Sequence, residues 1–219
     1  MQTANFQKII DRISEAFSFF DFSFLISGSA TFAICCYTLN RLGMDVSSDS
    51  SFLNVCVSIV GIYIAGLISF ALGKKIRVWM VDNDGKHFEE IFNETVRFIN
   101  DSKAGNDKQN LKLQYAQMWA HLRNNQEAKE STTFLNRLWV MQAVFEGLMI
   151  SSAIAIVGGV ILGIVLGWKQ CDVWYMIIGG LIAAIACYWE GKRYAETQIK
   201  EVIITYYQLK NKILWYGRQ

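Results

Sequence analysis

Proline is missing from the entire 219-residue chain. An average chain of this length carries about eleven, so Pro-rich linkers and polyproline docking segments are excluded. Long uninterrupted helices are favoured, because proline breaks them. Histidine is nearly missing as well, with only His87 and His121. No His-Glu-x-x-His, Cys-x-x-Cys, phosphate-loop or Gly-x-Ser-x-Gly pattern occurs, so the sequence supplies no catalytic, cofactor-binding or metal-binding residue. His87 with Glu89 and Glu90 is the nearest approach to a metal cluster. The expectation is a protein that is not an enzyme and holds no cofactor.

Charge is missing from four stretches, and these gaps locate a membrane. No Asp, Glu, Lys or Arg falls in 22–40, 51–73, 147–168 or 173–189. A helix crosses the hydrocarbon core with about 20 apolar residues and at the least about 17, so all four are long enough. The chain is 53% hydrophobic with a mean hydropathy of +0.23, yet it carries 21 basic and 19 acidic residues. Those charges crowd into the remaining segments, which marks two solvents. The expected fold is an all-α integral membrane protein of four transmembrane helices with helical cytoplasmic extensions. Its parts are an interfacial amphipathic helix over 1–21, a transmembrane hairpin over 22–73, a cytoplasmic helical segment over 74–137, a second hairpin over 138–189 and a cytoplasmic helix over 190–219.

Basic residues set the orientation. Arg41 and Lys169 are the only ones in the two short connections; the other nineteen lie in the amino-terminal, central and carboxy-terminal segments. The positive-inside rule puts those three segments in the cytoplasm. The expected location is the bacterial inner membrane, multi-pass, with both termini cytoplasmic and no removable signal peptide. The net charge of +2 reflects this asymmetry and gives no reason to expect nucleic-acid binding. Cys35, Cys36, Cys56 and Cys187 act as small apolar residues in the spans, and Cys171 is left in an outer connection without a disulfide partner.

Outside the bilayer, Phe6, Ile9, Ile10, Ile13, Phe17 and Phe20 recur at helical spacing. Asp21 follows, either as a cap and interfacial residue or as an ion or partner contact. In the central segment Asp82-Asn83-Asp84-Gly85 marks a turn. Helices are expected over 86–100 and 108–126, the second with an apolar stripe of Leu111, Tyr115, Met118, Trp119 and Leu122. Ser131 or Thr132 is the expected cap of a third helix. In the tail Ile199, Val202, Tyr206, Leu209, Ile213 and Tyr216 step by threes and fours as a short heptad seam. It suits packing on the central helices or a coil between subunits. Apolar stripes on cytoplasmic helices too short to bury them alone point to a cytosolic effector as partner.

Small residues dominate the third span: Gly147, Ser151, Ala155, Gly159, Gly163 and Gly167 are each four apart. Related ribbons run through Gly61, Ala65, Ser69 and Gly73, and through Gly179, Ala183, Cys187 and Gly191. Small residues let helix backbones approach closely in lipid, where no hydrophobic effect drives helices together. The partners expected are therefore the bilayer and further copies of the chain, in a homo-oligomer such as a tetramer. Glu146 stands alone between apolar stretches, either as a pore or switch residue within the bilayer or as a boundary residue. Asn54 and Tyr63 are pore-lining or interhelical hydrogen bonders.

Both halves follow one plan, a hairpin with a short outer turn and then a basic exit: Gly73-Lys74-Lys75-Ile76-Arg77 and Gly191-Lys192-Arg193. This layout of size, span number and large middle cytoplasmic segment resembles the four-span membrane proteins (KwaA) of the bacterial Kiwa antiphage system. That resemblance implies a sensor of phage-induced disturbance that works with a cytoplasmic partner. The membrane accessory proteins of type VI CRISPR loci share the layout, but no Arg precedes a His at the spacing of HEPN ribonucleases here. The function expected is a sensor or scaffold that recruits a cytosolic effector in antiphage defence; the alternatives are an oligomeric pore that depolarises the cell and a structural subunit of another membrane complex.

Overall fold

The computed structural model describes residues 19–44, 52–82, 85–100 and 108–216. Among these residues the chain forms helices and no strand. They are α1 (Phe19–Arg41), α2 (Phe52–Asp82), α3 (Lys86–Asn100), α4 (Lys108–Asn124), α5 (Lys129–Leu166) and α6 (Cys171–Tyr216), with a 3-10 turn, Gln126–Ala128, ahead of α5. The protein is all-α, and α1, α2, α5 and α6 are long and apolar enough to cross a membrane. Helices α2, α5 and α6 hold 31, 38 and 46 residues, well beyond the ~20 that a bilayer needs. Nearly all of the interfacial helix expected over 1–21 lies outside the described residues.

Helix ends follow local chemistry. After α1, Gly43 takes φ +81°, its N–H donates to the Asn40 carbonyl at 3.0 Å, and the Met44 N–H reaches back to the Leu39 carbonyl at 3.0 Å. This is a Schellman cap, which glycine fills without a Cβ penalty. Gly167, at φ +98°, closes α5 through its N–H to the Gly163 carbonyl at 3.1 Å. Helix α5 therefore ends at Leu166, short of the Trp168 expected for the third apolar stretch, and Gly167 is a cap and not a ribbon member. At the other end of α5 the expected caps are also corrected. Ser131 and Thr132 lie inside the helix, and the cap that is seen belongs to the 3-10 turn ahead of it, where Asn125, at φ −97° and ψ 119°, accepts from the Glu127 N–H. Thr132 Oγ1 bonds back to the Ala128 carbonyl at 2.8 Å.

The chain divides into two compact units, one of residues 1–75 and 143–191, the other of 76–142 and 192–219. In the first, α5 is the hub. Thr31 meets Ser151, 120 positions on, and Ser27 meets Gly147 and Thr38 meets Gly158 with the same offset, so α1 and α5 run parallel. Gly159 packs on Met176, Gly180 on Ile156 and Gly191 on Phe145; positions fall on α6 as they rise on α5, so that pair is antiparallel. These directions suit four successive crossings. Outward go large aliphatic and aromatic side chains such as Val57, Ile64, Ile164, Tyr175 and Ile182.

The second unit has its own interior. Phe92 and Val96 of α3, Leu111, Met118 and Leu122 of α4, Leu135 and Leu138 of α5, and Val202, Ile203 and Leu209 of α6 form one buried cluster with Ala128. The stripe on α4 and the tail seam thus meet inside one chain, with Tyr115, Trp119, Ile199 and Tyr206 half-buried around them. Ile203, outside the heptad reading, is fully buried. The side chains of Ile213 and Tyr216 lie outside the described residues.

Candidate functional site

In the first unit the buried polar residues gather where α1, α2 and α5 converge. Ser27 and Thr31 share a face of α1. Thr31 Oγ1 lies 2.8 Å from Ser151 Oγ and 3.3 Å from Ser69 Oγ, and Ser151 Oγ donates within 3.0 Å of the Ser27 carbonyl. Backbones must come close for such short side chains to meet, and glycines allow it. A Cβ at Gly28 would overlap the Ile62 carbonyl, and one at Gly66 would overlap the Phe24 carbonyl. Such contacts let a backbone Cα–H face a carbonyl oxygen across the crossing.

Glu146 lies at one end of this core and is 2% exposed. A Cβ at Gly73 would overlap its carbonyl group, and one at Gly191 would stand 3.8 Å from its Cγ. Gly73 and Gly191 are the last residues before Lys74-Lys75 and Lys192-Arg193. Glu146 therefore lies at the level where both basic exits begin, and it is buried there between α2 and α6. Asp21 sits in the first turn of α1, where a carboxylate suits the helix dipole. Its Oδ1 accepts from the Tyr63 hydroxyl at 2.7 Å, which makes Tyr63 an interhelical hydrogen bonder.

The small residues named from the sequence separate in space. Gly147, Ser151, Ala155, Gly159 and Gly163 all face neighbours within the chain: Gly147 against Ser27, Gly159 against Ile177 and Met176, and Gly163 against the Trp168 ring, with Ala155 buried. Gly61 has no neighbour within 4 Å and Ala65 is half-buried. On α2 the close contacts run through two of the ribbon residues, Ser69 and Gly73, together with Gly66, and on α6 through Gly180 and Gly191, while Gly179 is open. Spacing by fours could not choose between adjacent faces of the same helix. Gly28, Gly66, Ser27 and Thr31 were missed as packing residues, although Ser23, Ser27 and Thr31 recur every four positions in α1.

Beyond the spans, Arg41 at the end of α1 pairs with Asp172 at the start of α6 at 2.7 Å. Arg41 also donates to Gln170 Oε1 at 3.0 Å, and the Tyr37 hydroxyl donates to Asp172 at 3.3 Å. In the second unit His87 Nε2 meets Glu196 Oε1 at 2.8 Å, with Lys192 3.7 Å from the same oxygen. Of the seam residues, Val202 and Leu209 are buried and Ile199 and Tyr206 half-buried. Burial drives the Tyr115 phenol up to about 12, with its Trp119 interaction acting the other way. Among the described residues no three His, Cys, Asp or Glu side chains converge as a metal cluster, and all five cysteines are free thiols.

One face of α3 carries Lys86, Glu89, Glu90, Asn93, Glu94 and Arg97 as an open, mixed-charge surface. Among the described residues none donates to Asn93 Oδ1, which is buried. Phe98, one turn beyond Glu94, is 87% exposed. No family model, curated protein or solved structure matches the chain, so its role is read from its own residues.

Proposed function

We propose that the protein is a homo-oligomeric scaffold and sensor of the bacterial inner membrane that recruits a cytosolic effector through its second unit. The observation that supports this most is that unit itself: it has an apolar interior of its own and an outer surface rich in charge. Four spans alone would not require such a module. The asymmetry of basic residues favours the cytoplasm for it. Gly61 and Gly179 leave gaps on apolar helix surfaces that none of the described residues fills, which favours helices of further copies there. Antiphage defence is the setting implied by the Kiwa-like layout.

Removing 190–219 is a poor test, because it takes Val202, Ile203 and Leu209 out of the core. A photo-crosslinking amino acid placed in turn at Phe98, Leu113 and Phe134, all exposed in the second unit, leaves that core intact. An adduct with an effector is expected from at least one position in cells. No adduct from any of them removes the reading. For the defence setting, expression in a phage-sensitive host should lower plaque counts.

The second reading is an oligomeric pore, favoured by the buried Glu146 and by the hydroxyls of Thr31, Ser69 and Ser151 inside the spans. Planar-bilayer recording of purified protein tests it: conductance altered by Glu146→Gln is expected, and silence under every condition removes the reading.

A further inference from the structure

We infer that one face of α2 past Gly73, centred on Lys75 and Trp79 with Lys74 and Arg77 beside them, is a docking surface for anionic phospholipids of the bilayer's headgroup layer; this rests on the inner-membrane reading above. Helix α2 runs without a break from Phe52 to Asp82. Up to Leu72 its outward face is apolar, with Val57, Ile64, Ile68 and Leu72 all exposed. Trp79 comes eleven positions after Ile68 and seven after Leu72, so at 3.6 residues per turn it falls within about 20° of each. It is 68% exposed, and Ile76, Val78 and Met80 around it are exposed too. Lys75, one turn before Trp79 on the same face, is exposed, as is Lys74 next to it.

Length and charge together name the occupant. From Val55 to Met80 the exposed apolar side chains of α2 cover about 38 Å at the helical rise. That is more than the ~30 Å hydrocarbon core and within the ~40–45 Å of core and headgroups together. Lys74, Lys75 and Arg77 are costly inside the hydrocarbon, and Trp79 and Met80 are costly in bulk water. The headgroup layer suits both, because tryptophan sits well there and a lysine stem lies along apolar surface while its ammonium group reaches a phosphate. The sign of the charge selects the lipid. Asp82 is the first acid of α2, and three cations precede it. A phosphatidylcholine headgroup is neutral overall and gains little from them, whereas phosphatidylglycerol carries the complementary charge. An acidic protein surface matches the cations but not the apolar strip that runs on from Ile68 and Leu72.

The full chain is placed in nanodiscs that mix phosphatidylcholine and phosphatidylglycerol, with one lipid or the other brominated high on its acyl chains, so that bromine quenches a tryptophan it touches. The difference between the wild-type chain and Trp79→Phe isolates the fluorescence of Trp79. Brominated phosphatidylglycerol should quench that difference at least about twofold more than brominated phosphatidylcholine at equal mole fraction, and high salt should narrow the gap. Lys74→Gln with Lys75→Gln, at two exposed positions, should keep the fold and erase the preference. Equal quenching by the two lipids, a preference unchanged in the double variant, or no quenching of Trp79 by either lipid overturns the inference. A photo-crosslinking amino acid at position 79 that joins a protein chain and no lipid also overturns it. The fluorescence left in Trp79→Phe, which includes the exposed Trp174 and Trp189 of α6, separates the two claims. Quenching there without quenching of Trp79 sinks this surface and leaves the membrane reading standing, whereas no quenching of any tryptophan sinks both.

Discussion

Thr31 of α1 and Ser151 of α5 share a 2.8 Å hydrogen bond between hydroxyls 120 positions apart, and this bond ties the two helices together. Ser151 also bonds the Ser27 and Gly147 carbonyls, so its loss removes more than one contact. Interhelical hydrogen bonds in membranes average about 0.6 kcal/mol and reach about 2. Ser151→Val should therefore cost about 1–2 kcal/mol, made worse by the methyl groups crowding Gly147 and Ser27, and Thr31→Val somewhat less. Thermal unfolding in detergent, followed by helical circular dichroism, checks both.

Close backbone contact sets a second prediction. Gly66→Leu and Gly28→Leu each place a side chain where a carbonyl group already sits, and a helix backbone cannot shift without losing the neighbouring hydroxyl contacts. Both should abolish a monodisperse peak in fluorescence-detected size-exclusion chromatography. Gly61→Leu, with nothing within 4 Å among the described residues, should leave the fold of the chain intact and, on the proposed homo-oligomer, shift only the oligomer population.

For the second unit, Ile203→Ala removes a fully buried side chain from the middle of the cluster. Large-to-small changes of this kind cost about 2–5 kcal/mol. Leu113→Ala, at an exposed position of α4, should stay within about 0.5 kcal/mol. Limited proteolysis of the two variants should show the second unit opening in the first and not in the second.

Alkaline titration tests the surroundings of Tyr115. Burial raises its phenol to about 12 from 10, so folding favours the neutral form. Stability from this group is complete below pH 10 and is lost as pH rises towards 12. The ultraviolet difference spectrum between the wild-type chain and Tyr115→Phe should show one phenol ionising late, and the variant should lose less stability between pH 10 and 12.

Charge gaps and the lack of proline marked the long apolar helices, because a bilayer penalises ionised side chains and a helix penalises proline, and a turn signal with an apolar stripe marked the two shorter ones. The stretches 22–40 and 173–189 fall inside α1 and α6, and the expected helices 86–100 and 108–126 differ from α3 and α4 by two residues in all. Helix faces were harder. Spacing by fours placed Gly61, Ala65, Ser69 and Gly73 on one contact surface; Ser69 and Gly73 hold it together with Gly66, while Gly61 is open, because a 3.6-residue turn drifts across a four-residue repeat. Gly167 continued the ribbon arithmetically and yet ends the helix, since Trp168, Lys169 and Gln170 must turn the chain back. Ile203 escaped the heptad count because the tail packs against several helices at once, which widens its apolar face beyond two positions in seven. Burial of Glu146 depends on Gly73 and Gly191, which no local pattern connects to it.

The second unit draws its core from two stretches of chain, 76–142 and 192–219, and this orders its birth on the ribosome. Phe92, Leu111 and Leu122 are made long before Val202 and Ile203, and the second hairpin must be synthesised in between. At about 5–20 residues per second the early helices wait several seconds with one side uncovered. Until the last helix arrives they are exposed to chaperones and proteases, and a message truncated near Trp189 would yield a chain with its apolar helices made and the core of the second unit left open.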